Sequence, residues 1–422
     1  MDAYPWLATV APRLCHAPLA DIPAAVRAAM ARGDWANGLK PGSRVAITAG
    51  SRGINHIPLI LRTVAEEVRA RGLDPFFVPA MGSHGGATAQ GQLALLADLG
   101  VKPERVGAPI HATMEVVELG RTEDGIPVYL DAQAAQADGI LVVNRVKPHT
   151  SFTGPVESGL HKMIAIGLGK ERAAATLHAH GPRGLREYVP RVARVALARA
   201  PIVLGLAILE DGYDQTAEIV GLLPAEIPAR EPELLARARA MRARLPFDEC
   251  DLLIVDQMGK DISGTGMDTA VIGRLYIRGE PDFPSPRIRW LVALSLTPAS
   301  HGNATGVGLA DIITRRLYES IDFTATYKNV ITSGFLERAK IPLVAETPQA
   351  AIHLALSLLG LPPHQVRAAR IRDTLHLERI QVSEALLQAG PSHGDWEVIT
   401  PPRPMRFDER GELAEPAWIF PL

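Results

Sequence analysis

Apolar runs and polar breaks follow one another along this chain in a repeating order. In "SRVAITAGSRGINHIPLILRTVAEEVRARGL" a mostly apolar run at 44–49 stops at a short glycine-containing stretch. From about 57 to 71 apolar residues then recur at helical spacing, which predicts strand, tight loop, helix. "DPFFVPAMGSHGGATAQGQLALLADLG" repeats the order, with a strand near 75–79, a Gly-rich loop and a helix from about 88. "ADGILVVNRVKPHTSFTG" opens on a further strand at 139–143. "EYVPRVARVALARAP" predicts a helix and "IVLGLAILE" a strand. The charged, alanine-rich "PAEIPAREPELLARARAMRARLPFDEC" predicts a helix connecting two domains. "CDLLIVDQMGKDISGTGMD" and "RIRWLVALSLTPASHGNATGVGLADIITRRLYESID" restart the strand–loop–helix pattern. "IPLVAETPQAAIHLALSLLG" predicts strand then helix, with Thr347 placed to cap it.

Repeated units of this kind predict an α/β fold with mainly parallel sheets. The length of 422 residues favours two domains, drawn here as 1–245 and 246–422. The chemically informative polar residues fall just after strand ends, the edge at which open α/β sheets bind ligands.

Composition narrows the classes. Hydrophobic residues make up 47% of the chain and charged residues 21%, enough apolar surface for real cores. With 44 basic against 46 acidic residues and no long run of one sign, no nucleic-acid footprint is expected. The two cysteines, Cys15 and Cys250, make neither a disulfide framework nor a CxxC metal site, which fits a reducing, cytoplasmic setting. The start, "MDAYPWLATVAPRLCHAP", lacks the basic-then-apolar layout of a signal peptide. The apolar stretches are too short to span a bilayer, so no membrane partner is expected.

Four loops carry candidate chemistry. In "AGSRG", Ser51 and Arg52 follow a strand and precede a helix, a place suited to a phosphate or carboxylate. In "MGSHGGAT", His84 stands among glycines where an imidazole can act as acid or base, or can simply bond the turn. "VKPHTSFTGPVESGLHKMIAIGLGK" brings His149, Glu157, His161 and Lys162 together. His161 and Lys162 cannot share one helix face, so one is expected to enter a site and the other to point elsewhere. A lysine in a desolvated pocket there is a candidate nucleophile or cofactor attachment point. "ERAAATLHAHG" offers His178 and His180 as nitrogen ligands, without a third ligand at zinc-type spacing. Later, Asp256, Lys260, Asp261 and Ser263 follow a strand in "DQMGKDISGTGMD" and could close a site from the second domain.

Together these loops resemble the nickel-pincer lactate racemase family. Arg52 after a strand, the GSHGGAT loop, His149, the Gly-x-x-Lys of "GLHK" and a later histidine match that family's order and approximate spacing. The resemblance implies two α/β domains with the active site in the cleft between them. It implies a nickel-pincer nucleotide, pyridinium-3,5-bisthiocarboxylic acid mononucleotide with nickel, attached at Lys162. It implies His84 and His149 as alternating acid and base, His178 as the nickel ligand with His180 its competitor, and Arg52, with Ser51 beside it, at the cofactor phosphate. Lys260 joins the cofactor-binding candidates. The implied partners are a small 2-hydroxy acid and cofactor-maturation proteins. The implied reaction is racemisation or epimerisation by reversible hydride transfer at C2. Alternatives are a 2-hydroxy-acid redox enzyme or a non-catalytic protein that binds the nucleotide. The chain departs from the family where Ala49, Gly50 and Ser51 precede Arg52 in place of a loop with an acidic residue. It departs again where Leu160 and His161 precede Lys162. The expected substrate is therefore a 2-hydroxy acid rather than lactate in particular, and His161 is left without an assigned role.

Overall fold

A computed structural model describes residues 4–414. The span Cys15–Arg242 makes one compact unit, and the described residues on either side of it make a second.

The Cys15–Arg242 unit is built on a five-stranded sheet in the order Asp74–Pro79, Arg44–Ala49, Gly139–Arg145, Ile202–Glu210, Thr216–Leu222. The first four strands run parallel and the last antiparallel. Its central strands read as near-continuous apolar runs because both faces are covered. Alternate residues serve opposite faces: Ala46, Phe76, Val78 and Val142 enter one core. Val45, Ile47, Phe77 and Val143 enter the other. The helix Ile57–Ala70 covers the second face with Ile60, Leu61, Val64 and Val68. The helices Val189–Arg199 and Ile227–Met241 cover the first with Val192, Ala196, Leu234 and Leu235. The charged stretch expected to connect two domains is thus a packing element of this unit. Its apolar positions Leu234, Leu235 and Ala238 are all buried in the core.

The second unit carries an eight-stranded sheet in the order Leu343–Ala345, Ile312–Thr314, Arg287–Ala293, Glu249–Val255, Ala368–Ile371, Ile380–Ser383, Trp6–Pro12, Trp396–Pro404. The first five strands are parallel, and the rest pair antiparallel. Trp6–Pro12 corrects the expected boundary of 1–245, because it lies between two C-terminal strands. A pairing across almost the whole chain leaves no local sequence signal. Thr347 does cap its helix, accepting the Ala350 N–H at 3.1 Å. Among the described residues no helix is long and apolar enough to cross a membrane.

Candidate functional site

The C-terminal ends of Asp74–Pro79, Arg44–Ala49 and Gly139–Arg145 lie along one sheet edge because these neighbours are parallel. The chain steps outward from Arg44–Ala49 to Asp74–Pro79, then returns to pair Gly139–Arg145 on the other side. The order therefore reverses at the central strand, and in open α/β sheets that point opens a crevice for ligands. Loops 50–53, 80–88 and 146–159 issue from these three strand ends.

In the first loop, the Ser51 hydroxyl lies 2.7 Å from His84 Nδ1. Ser51, expected beside a phosphate, is engaged with the histidine of the neighbouring loop. Arg52 keeps solvent exposure as a residue. Its guanidinium is nevertheless held below its ordinary pKa, by burial first and by the charge of Arg145 second. Arg145 itself is ion-paired with Glu210.

The second loop is braced from beneath. Gly85 has φ +67°, and a Cβ there would lie 2.5 Å from the Gly91 backbone, so only glycine makes this turn. Gln92 is buried and donates to the carbonyls of Gly82 at 2.9 Å and His84 at 3.3 Å. The fully buried Lys170 donates in turn to Gln92 Oε1 at 3.2 Å and to the Pro79 carbonyl, and pairs with Asp131 at 2.8 Å. Burial lowers the Lys170 pKa and Asp131 opposes that shift. The lysine that closes the motif "GLGK" is therefore a strut for the His84 loop.

In the third loop, the backbone N–H of Ser151 donates to His149 Nδ1 at 3.0 Å, which puts the proton of the neutral ring on Nε2. The buried Glu157 accepts the N–H groups of His149 at 2.6 Å and Gly154 at 3.0 Å and pairs with Arg239. Lys147 and Ser158 exchange backbone hydrogen bonds of 2.8 and 3.2 Å, pinching the loop at its base. The chain then forms a helical turn at Leu160–Lys162 and a wider turn at Met163–Gly167. In that wider turn Leu168 N bonds Met163 O at 2.8 Å in an i→i+5 pattern, frequent at functional sites.

His161 and Lys162 differ in their burial and in the charged groups around them. His161 is buried, with Nδ1 2.6 Å from Glu231. Lys162 retains part of its surface to solvent. Its pKa falls from 10.5 to about 7, through burial, then Arg52, then Lys147, with Glu157 opposing. At neutral pH a sizeable share of this lysine is the free amine. His178 is half-buried and is pushed down to about 4, by burial and then by Lys162. It is a neutral imidazole at pH 7, with a lone pair available to a metal. His180 is exposed and packs its ring edge-on against Tyr188 at 4.9 Å. Among the described residues no three His, Cys, Asp or Glu side chains group to hold a metal ion by themselves. Lys260 lies in the other unit, where its ammonium bonds the Gly264 carbonyl and Asn329 Oδ1, both at 2.6 Å.

Sequence reasoning missed the residues that support these loops. Glu231 and Arg239 sit in a segment read as a connector, and Gln92 and Asp131 carry no motif. Their signal is charge or amide on the buried face of an element, visible only once the faces are known.

Residues 14–183 match a family model described as the lactate racemase N-terminal domain. Over that span the chain is divergently related to the lactate racemase N-terminal domain. Arg52, His84, His149, Lys162 and His178 all fall inside the matched span of the racemase N-terminal domain, and Lys260 falls outside it. Among solved structures the chain resembles the lactate racemase apoprotein from Thermoanaerobacterium thermosaccharolyticum. The two share 11% identity and a TM-score of 0.51, over 86% of this chain and 93% of that one. At that identity the likeness to the racemase is one of fold. No curated protein matches.

Proposed function

We propose that this protein is a racemase or epimerase of a 2-hydroxy acid that works with a nickel-pincer nucleotide. The observation that carries the proposal is the electrostatic coupling of three groups from separate segments. Lys162 is depressed to about 7 by burial and by Arg52, and it in turn helps depress His178 to about 4.

The residues present fit such a group. Lys162 supplies an amine nucleophilic at neutral pH for covalent attachment. Arg52 supplies a guanidinium for a phosphate, and an incoming anion would return that guanidinium toward its ordinary pKa. His178 supplies one neutral nitrogen, so the remaining metal donors would have to come with the ligand. When bound, the nickel-pincer group would supply the hydride-accepting chemistry at C2 that a side chain cannot.

The chain's own residues handle protons and orientation. His149 begins as an Nε2–H donor because its Nδ1 accepts the Ser151 N–H. His84 faces the Ser51 hydroxyl, which can donate or accept, so that contact suits either tautomer. One imidazole placed as donor and a second serving as acceptor is the pairing needed to remove a hydroxyl proton and return it. Glu157 and Gln92 hold the two histidine-bearing loops by their backbones, so little reorganisation is needed as charge develops.

The test is a panel of chiral 2-hydroxy acids, short-chain, dicarboxylic, aromatic and sugar-derived, given to protein co-produced with cofactor-maturation proteins. The expected result is stereochemical exchange on at least one acid with no net oxidation. Net 2-keto acid formation with an external acceptor would make it a redox enzyme. Cofactor binding with every acid unchanged would make it a carrier.

A further inference from the structure

The turn that carries Lys162 has an unusual anchor. The first N–H groups of a helical turn lack partners within it and are commonly taken by a capping side chain. Here the residue before the turn is Gly159, which has no side chain to offer. The acceptor arrives from elsewhere in the sequence: Glu231 Oε2 takes the backbone N–H of His161 at 2.9 Å. The same oxygen lies 2.6 Å from His161 Nδ1, so one carboxylate grips both the backbone and the ring of the residue before Lys162. Glu231 is 0% exposed and His161 3%. Gly159 makes the approach possible, since a Cβ there would lie 2.0 Å from Glu231 Oε1. That oxygen is buried without a hydrogen-bond partner among the described residues. Burying a carboxylate with one oxygen unsatisfied is costly, and such groups persist where their geometry serves something other than stability.

A second observation concerns the same helix. Arg239 stands eight residues after Glu231 on Ile227–Met241, a little over two turns on and about 80° further round the helix. It pairs with Glu157, the residue that holds His149 by its backbone. One helix therefore fastens the segment at Glu157 and again at His161.

We propose that Glu231 is a positioning residue for Lys162, fixing through His161 and Gly159 the turn that aims the lysine into the site. The role rests on reading Lys162 as the reactive lysine, and it needs no bound cofactor. A carboxylate only accepts, so His161 Nδ1 is the donor in its bond to Glu231.

Two measurements on the full-length protein without cofactor test this. In wild type, ¹⁵N-histidine NMR, with His161 assigned by its loss in His161→Gln, should show a protonated Nδ1. An unprotonated Nδ1 overturns the proposal. In competitive acylation read by mass spectrometry, the Lys162 rate is divided by that of the exposed Lys102. Glu231→Gln should lower the ratio about tenfold, the scale of one hydrogen bond to a charged group. His161→Gln, which keeps the backbone bond, should lower it by less. An unchanged ratio in folded Glu231→Gln overturns the proposal. Should that variant not fold, an unchanged ratio in His161→Gln does so. If the ratio falls yet no cofactor ever attaches to wild type, the positioning role stands and the racemase reading fails. If cofactor attaches as fast to Glu231→Gln as to wild type, the positioning role alone fails.

Discussion

The two units place similar sequences at similar strand ends and use them differently. In the Cys15–Arg242 unit, the loops after parallel strands hold charged groups away from their ordinary state. Lys162 and Arg52 are lowered by burial and by neighbouring positive charge. In the other unit the loop after Glu249–Val255 closes on itself. Lys260 bonds the Gly264 carbonyl and Asn329, and the Ser300 hydroxyl lies 2.8 Å from that of Thr297 and accepts the Lys260 N–H at the same distance. Asp256 is raised by burial, but Arg370 faces it at 2.7 Å. Glycine, serine and lysine after a strand thus describe a loop without saying what it does. A site is marked by electrostatic tension left unrelieved, which is costly for folding and useful for chemistry.

The contrast can be broken by substitution. The largest effect is expected at Lys162: Lys162→Ala should abolish exchange of the 2-hydroxy acid. Next come His84→Gln and His149→Gln, each lowering kcat about 10²–10⁴-fold, the usual range for a lost acid–base group. If either leaves kcat unchanged, that histidine is not handling a proton. Arg52→Ala should weaken cofactor retention about 10–100-fold, as for a charge-assisted bond to phosphate, measured by dialysis and nickel content. Lys260→Met should change these quantities least. A loss matching that of Arg52→Ala would erase the difference drawn between the two units.

The lowered lysine also has a signature in stability. Between about 7 and 10.5 the unfolded chain binds a proton at Lys162 that the folded chain does not. Stability from this group therefore rises with pH across that window and is lost as pH falls through it. In the protein without cofactor, the slope of Tm against pH there should be smaller in Lys162→Met than in wild type. Equal slopes would show that the ammonium is not desolvated.

Much of the fold was legible because strand and helix announce themselves by period. The strand at 44–49 coincides with Arg44–Ala49, and the helix expected from about 88 is Ala89–Asp98 with Thr88 as its cap. Trp6–Pro12 was not legible, since its partners lie near the other end of the chain. Among the candidate site residues, His84, His149 and Lys162 stood out because titratable residues among glycines are conspicuous. Their supports did not, because Glu231, Gln92 and Asp131 matter only through the directions their elements face. His161 shows the limit best. Its neighbour's chemistry drew attention to it, but only the fold reveals Glu231 behind it.

The central claim is that Lys162 is a tether made reactive by its surroundings. The most direct measurement is intact mass and nickel content of wild type and Lys162→Ala, each co-produced with cofactor-maturation proteins. The account predicts a nucleotide-sized mass increase with about one nickel per chain in wild type, and neither in the variant. A full adduct retained by Lys162→Ala, or a wild-type protein that never acquires one, would contradict it.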